Sequence, residues 1–326
     1  MAAISKQVSI VIVNWNSGDI LNRCLQALDN STLIPDKIII FDNDSSDDSI
    51  DRIIEVKNLK LEVIRNKENL GFASANNIAI KKYTESEYVV TLNSDAFPDE
   101  FWLERLVSYA NKNPQCASLS SLQIDYCQPN IIDGIGDNYH FSGMVGRRGH
   151  KKLVIDPEYR KGHVHEVFSA CAGAALYRRD VFLEVGGFDG DFFCFVEDVD
   201  LGYRFRLSGY DCHCVMDAIV YHIGGASSGG HHSDLSVYYG HRNLEWAYFK
   251  NMPFFFLVLS LPFHLILILL EFIIFAKKGK VKIIYKSKLD AIKNIGQFWE
   301  KRKKIQRNRK IGSVALFRHL SFFSLH

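Results

Sequence analysis

Four short apolar runs separated by amphipathic stretches constrain this chain more than any other feature. They are Val8–Val13 (VSIVIV), Lys37–Phe41 (KIIIF), Leu61–Ile64 and Tyr88–Leu92 (YVVTL). Near-continuous Val/Ile runs leave no polar face for solvent, so each strand must be covered on both sides, as in a parallel sheet between helices. Helical spacing over Ile20–Leu28, Ser49–Val56 and Ala73–Tyr83 supplies that cover. Strand and helix alternating at this rhythm predict an α/β sheet with right-handed crossovers.

Ligands of such sheets sit beyond the carboxyl ends of the strands. There the sequence turns polar: Asn14-Trp15-Asn16 after the first run, Asp42-Asn43-Asp44-Ser45 after the second, Asn93-Ser94-Asp95 after the fourth. Capping explains any one of these loops, whereas three on one edge point to a site. Asn93 and Asp95 fall on the same side of an extended segment, which suits a hard divalent cation that also takes phosphate oxygens. Glu197, Asp198 and Asp200 follow the aromatic run Phe192, Phe193, Phe195 and open a helix predicted over Asp198–Leu207. First-turn acids can simply serve the helix dipole. Beside so many aromatics, however, they are expected to be partly desolvated, with raised pKa values and one prepared as a general base. His222 ends the apolar run Ala218–Tyr221 beside Gly224 and Gly225. It reads either as a structural histidine or as a ligand where glycine allows close backbone approach; His231-His232 reads as a loop pair.

A helix over Arg179–Val185 is expected to stop at Gly186-Gly187. The glycine-rich stretch 129–165, with RRGHKK at 147–152, reads as a solvated insertion, a mobile lid being the sharper alternative. No G-x-G-x-x-G turn follows the first strand and no phosphate-loop motif occurs. An aspartyl-nucleophile phosphatase would need Asp where Asn93 stands.

Charge and hydropathy are uneven. Of the formal net charge of +2, residues 277–310 contribute +12 (fourteen Lys/Arg, two acids), which leaves −10 for the rest. Such a tail suits an anionic partner, nucleic acid or lipid. Just before it, Pro253–Ala276 is apolar and long enough to span a bilayer, yet it contains Pro262, His264 and Glu271. No secretory signal is read in the first residues. The seven scattered cysteines, without a CxxC pair, fit a reducing compartment.

Together, VSIVIVNWNS, FDNDSSDDS, NKENLGFASANN, LNSDAF, CAGAALYRRDVFLEVGGFDGDFFCFVEDVDLGYR and HIGGASSG resemble family 2 glycosyltransferases of the GT-A fold. The branch they are most similar to is the rhamnosyltransferase-like enzymes of bacterial surface polysaccharide synthesis. The resemblance implies an α/β, Rossmann-like, mostly parallel central sheet flanked by helices, with a C-terminal apolar and basic helical extension. Residues 1–250 would form the GT-A domain (1–110 the nucleotide half, 111–250 the acceptor and catalytic half) and 251–326 the membrane-associated part. Asn14, Asn16, Asp42 and Asn43 would line the base and ribose; Asn69, Gly71 and Asn76 would form the turn and helix start near the nucleotide. Asp95 would be the surviving acid of the Asp-x-Asp metal motif, with Asn93 in its first position, and His222 would complete coordination of Mg²⁺ or Mn²⁺. Asp198 would be the base, Glu197 and Asp200 supporting or acceptor-binding acids, and Arg242 a diphosphate contact.

The implied activity is inverting transfer from a nucleotide sugar, dTDP-rhamnose first, to a lipid-linked glycan acceptor, with no nucleic acid partner. The alternatives are transfer from another UDP-sugar (GlcNAc, galactose, galactofuranose) and a non-catalytic, nucleotide-sugar-binding membrane scaffold. The expected place is the cytoplasmic face of the bacterial inner membrane, beside an anionic lipid surface. A single crossing by Phe254–Phe275 would put the +12 tail outside, against the positive-inside tendency, would be interrupted by Pro262, and would bury Glu271 at a cost. The segment is therefore expected to be re-entrant or to lie in the leaflet, a buried core hairpin being the competing reading.

Overall fold

The computed structural model describes residues 8–225 and 233–322; His231 and His232 lie outside the described residues. The chain begins with β1 (Val8–Asn14), α1 (Ile20–Asp29) and β2 (Lys37–Asp42), then β3 (Leu61–Arg65), α2 (Gly71–Tyr83) and β4 (Tyr88–Leu92). Leu21, Cys24, Leu25 and Leu28 fall at helical spacing and are all buried, fixing α1 to the sheet. β5 (Ala96–Pro98), α3 (Trp102–Lys112) and the long β6 (Cys116–Asp125) follow. β7 (Ile132–Gly134), β8 (Asp137–Tyr139), β9 (Val145–Arg147) and β10 (Val164–Glu166) lie in the glycine-rich stretch. β11 (Ala174–Arg178), α4 (Arg179–Glu184), α5 (Glu197–Leu207) and β12 (Asp211–His222) complete the sheet.

Among the described residues the main sheet runs β10-β12-β6-β11-β4-β1-β2-β3, with β5 on β12 and β7 on β6. β4, β1, β2 and β3 are parallel, as are β6 and β12; β11 is antiparallel to both β4 and β6. Two apolar layers cover the sheet, one built on Ile10, Ile12, Ile38 and Trp102, the other on Val11, Ile39, Ala79 and Phe205.

Two expectations fail here. Residues 49–56 form turns and coil, not a helix. Asp47 accepts from the Ser49 amide and hydroxyl, a local bond that competes with helix. Asn22 and Asp29 of α1 then take the amides of Ile54 and Asn58 in non-helical geometry. The glycine-rich stretch is also not merely solvated: Ile132, Ile135 and Tyr139 are fully buried, and Arg147 is drawn in to Asp133 at 3.0 Å.

Beyond the sheet, α6 (Asp234–Asn251) packs with α7 (Phe254–Lys277), α8 (Val281–Lys293) and α9 (Ile295–Asn308), and α10 (Ser313–Phe317) closes on the start of α7 through Phe317 and Phe256. Trp246 stacks on Phe298 at 4.3 Å and donates to the Ala291 carbonyl. The basic tail therefore packs on the acidic body. Lys280 meets Asp234, Lys288 meets Glu245, Lys301 meets Asp189 and Asp191, and Lys310 meets Glu184, so part of the anion expected outside the protein is its own surface.

α7 is one helix straight through Pro262, not the interrupted segment expected. The ring sits on the exposed side, and Ser260 donates to the Phe256 carbonyl one turn earlier. Nor is α7 a buried hairpin: Phe254, Val258, Leu265, Leu269 and Ile273 are exposed. Its buried side carries Ser260, His264 and Glu271. Ser260 meets Tyr248, His264 meets Glu245 at 2.8 Å, and Glu271 meets Lys288 at 2.6 Å. The helix thus turns its polar stripe to the protein and its apolar side away from it.

Candidate functional site

The loops after β1 and β2 close on one another at the carboxyl edge of the parallel strands. Asn14, fully buried, donates to Asp42 (3.0 Å), Ser45 and Ser49. Asn16, at φ +52°, accepts from the amides of Ser46 and Asp47. Asn43 donates to Asn69 (2.9 Å) and accepts from the Leu70 amide, and Asn69 in turn accepts from Gly71. Gly71, at φ +75°, has no room for a side chain: a Cβ would lie 2.5 Å from the Phe193 carbonyl oxygen. Asn76 donates back to the Phe72 carbonyl within α2. The sequence-nominated polar residues of the first half are thus gathered on one edge.

At the end of β4, Asp95 and His222 meet. His222 Nε2 lies 3.3 Å from Asp95 Oδ1, a long contact, while Nδ1 is 2.8 Å from Asp133 Oδ2. Burial opposes charge on His222, but Asp133 and Asp95 outweigh it and push its pKa up to about 9. A carboxylate oxygen and an imidazole nitrogen facing one point are a donor set that imidazole- and oxygen-seeking divalent ions accept. With Nδ1 bonded to a carboxylate, Nε2 is the nitrogen left for coordination. No cluster of three such ligands exists among the described residues, so a cation would need further ligands from its substrate. Asn93 stands just before, its amide accepting no part in that pair; its backbone N–H donates to the Gly173 carbonyl.

Gly173 leads to the acids. Asp198 accepts from the Ala172 amide at 3.1 Å and from the Val199 amide at 2.8 Å. Burial pushes the Asp198 pKa up against those bonds. Burial and the Asp198 charge push Glu197 well above the carboxylate range, and its buried Oε2 has no hydrogen-bond partner among the described residues. Asp137 joins them: burial first, then Asp198, raise it to about 7. Arg147 links the two corners, 3.0 Å from Asp133 and within the fields of Asp137 and Asp198. Asp133, Asp137 and Arg147 were missed in sequence reasoning because they stand in the stretch read as solvated; the acids of the glycine-flanked run DGIGD were the available signal.

The approach to Asp198 is strained. Phe193, Phe195 and Val196 all have φ between +64° and +69°, rare for such side chains. Asn243 holds them by donating to the carbonyls of Phe192, Cys194 and Phe195 at 2.8–2.9 Å. Arg242 is turned to the same loop, donating to the Asp191 and Phe192 carbonyls and lying 4.0 Å over Trp246. Its observed partners are therefore the loop rather than the nucleotide edge. Asp200 differs most from expectation. It is 0% exposed and bound by Arg204 (2.8 Å), Lys250 (2.7 Å) and Asn251 (2.7 Å). Burial would raise it, but Lys250 and Arg204 hold it below the usual carboxylate range. It anchors α5 to α6 and has no face toward an acceptor.

The chain matches the model of the Glycosyl transferase family 2 over residues 9–186. It is 25% identical over 218 residues to the O-antigen chain rhamnosyltransferase RfbN of Salmonella typhimurium, covering 66% of each. It is 25% identical over 270 residues to the N-acetylglucosaminyl-diphospho-decaprenol L-rhamnosyltransferase of Mycobacterium tuberculosis, covering 73% of this chain and 85% of that one. Among solved structures, the fold is similar to GalNAc-T7 with UDP, GalNAc and Mn²⁺ (TM-score 0.56, 20% identity, 67% of this chain, 43% of the other). It is also similar to a mannosyltransferase from Pyrobaculum calidifontis in complex with GDP-Man and Mn²⁺ (TM-score 0.55, 16% identity, 96% and 79%).

Proposed function

The chain belongs to glycosyl transferase family 2, and from that premise we propose that it moves a sugar, with inversion, from a nucleotide sugar to a lipid-linked glycan acceptor. The observation that carries the proposal is the pairing, across Arg147, of two desolvated acids with no direct cation partner among the described residues (Glu197, Asp198) with the Asp95–His222 corner. Asp198 takes the proton from an acceptor hydroxyl as that oxygen attacks the anomeric carbon; the raised pKa makes it the stronger base. Ala172 N–H orients its carboxylate. Residues 1–110 form the nucleotide half, where Asn14, Asn16, Asp42, Asn43, Asn69, Gly71 and Asn76 shape the donor edge. The Mn²⁺ in two neighbours of the same fold and the donor set at Asp95 and His222 support a divalent cation held there, where it would neutralise charge on the leaving diphosphate.

Two rhamnosyltransferase relatives favour dTDP-rhamnose as donor, and the diphospho-decaprenol in the name of one favours a lipid-borne acceptor. The outward apolar side of α7 supports a position along a membrane, on the cytoplasmic face where nucleotide sugars are made, with the leaflet rather than the protein core as its apolar neighbour.

The test is incubation of the protein with a panel of nucleotide sugars and a lipid-linked acceptor, with and without EDTA. Transfer from dTDP-rhamnose that stops on chelation and returns with Mn²⁺ or Mg²⁺ is the expected result. Transfer from a UDP-sugar alone would replace the donor, and full activity after exhaustive chelation would remove the metal role. Donor binding without any turnover would make the protein the non-catalytic scaffold.

A further inference from the structure

Where α7 begins, α9 forms one wall of a groove of about 280 Å³ lined by Phe254, Trp299, Arg302, Lys303, Gln306 and Arg309. Three cations and no acid line it. Other buried cations of this bundle have carboxylate partners: Lys250 has Asp189 and Asp200, Lys288 has Glu245 and Glu271, Arg204 has Asp200. Arg302 is different. It is 4% exposed, its Nη1 donates to the Phe249 and Met252 carbonyls, and no carboxylate among the described residues pairs with it. Burial and the nearby Arg309 both weigh against its charge. A guanidinium that is desolvated and carries no counterion is completed by an anion.

The aromatic rings of the groove say which anion. Phe254 is 69% exposed and starts the outward apolar side of α7, and Trp299 is 46% exposed. Aromatic rings of this kind sit at the boundary between headgroups and acyl chains. A free phosphate would satisfy the floor and leave those rings in water; a phosphate carried by acyl chains satisfies both. We propose that this groove binds the phosphodiester headgroup of an anionic phospholipid, with its chains running along α7. The inference rests on the membrane position argued above and adds a defined site to it.

Lys303 and Arg309 reach the groove from exposed positions, where their bonds are to Glu300 and Ser313, so both can be changed without emptying the core. The experiment is flotation of the full chain with phosphatidylcholine vesicles, with or without phosphatidylglycerol. The wild type is expected to bind the phosphatidylglycerol vesicles more tightly. Lys303→Gln with Arg309→Gln should weaken that binding by more than about 30-fold, beyond two surface charges' worth, while Lys278→Gln with Lys282→Gln, an equal charge change elsewhere on the basic surface, should cost no more than that about 30-fold. Circular dichroism of both variants checks the fold. Equal losses from the two pairs would overturn the site and leave general membrane association standing. Displacement of the wild type by free glycerol phosphate would assign the groove to a soluble anion and overturn the lipid. A wild type that binds neither vesicle would overturn both the site and the membrane position.

Discussion

The first turn of α5 has two sides with opposite electrostatics. On the inner side, Asp200 is met by Arg204, Lys250 and Asn251 and stays ionised below the usual range. On the side facing Ala172, Glu197 and Asp198 are desolvated beside each other, with backbone amides and the more distant Arg147 in place of a direct cation. The residues are of one kind and burial acts on all three. What differs is compensation, and compensation decides whether a buried carboxylate is an anchor or a base.

The sharpest way to break this contrast is Asp198→Asn. With the fold intact by circular dichroism, transfer should fall by about 10²–10⁴-fold, the usual range of general-base help; near-wild-type turnover would take the base role away from Asp198. Asp200→Asn should act on the other side of the turn. It leaves Lys250 and Arg204 short of a buried anion, which costs about 3–5 kcal/mol of stability, read as a lower denaturant midpoint, while turnover per folded molecule stays close to wild type. A selective loss of turnover would move Asp200 into the site. Asn243→Ala lies between the two effects. It strips the donor from three carbonyls, that of Phe192 buried, and should cost about 1–3 kcal/mol, with kcat falling more than donor affinity because the loop it frees leads to Asp198.

Acid should separate the two sides without mutation. Glu197 and Asp198 have raised pKa values, so on lowering the pH they protonate first. Transfer is then expected to fall by about tenfold per pH unit below their shared, coupled pKa, at a pH above the ordinary carboxylate range. Protonating them does not weaken the fold, because the cost of a raised carboxylate is complete above its native pKa and fades as pH falls from there toward the unfolded value. Asp200 has the opposite sign. Its contribution is complete above the unfolded value of about 3.9 and is lost only as pH falls below that, through its depressed native pKa. A pH series of transfer rate and of unfolding midpoint should therefore show activity lost well before stability; coincident losses would erase the contrast.

Much of the fold was legible because its information is local. β1 to β4 announce themselves as apolar runs that need cover on both faces, and the bounds of α1, α2, α4 and α5 follow from spacing and from glycines such as Gly186, Gly187 and Gly209. What was not legible depended on distant partners. Residues 49–56 have helical spacing, but the Ser49 amide is taken by Asp47 and the Ile54 amide by Asn22, while Asp29 holds the turn that follows at Asn58, and periodicity carries no record of that. Asp200 and Asp198 look alike in sequence, since Lys250 and Asn251, which tell them apart, lie about fifty residues on. Arg147 was read as solvated because it stands in a basic cluster; only the fold brings it under Gln123 and Asp133. Pro262 was expected to interrupt α7, yet the helix continues past it with its ring on the open side.

The close approach of residues 71 and 193 bears on inheritance. The Phe193 carbonyl accepts from the Ala73 amide and occupies the space a side chain at 71 would need, so the opening of α2 and the loop before Asp198 are fitted to each other across the length of the domain. The proposed donor-binding half is consequently not a cassette. A chimera that imports residues 1–110 from a relative inherits a working cleft only if the import brings glycine at 71 and an α2 start that accepts this loop. Donor preference and catalytic geometry are then expected to change hands as one unit in any recombination between such enzymes.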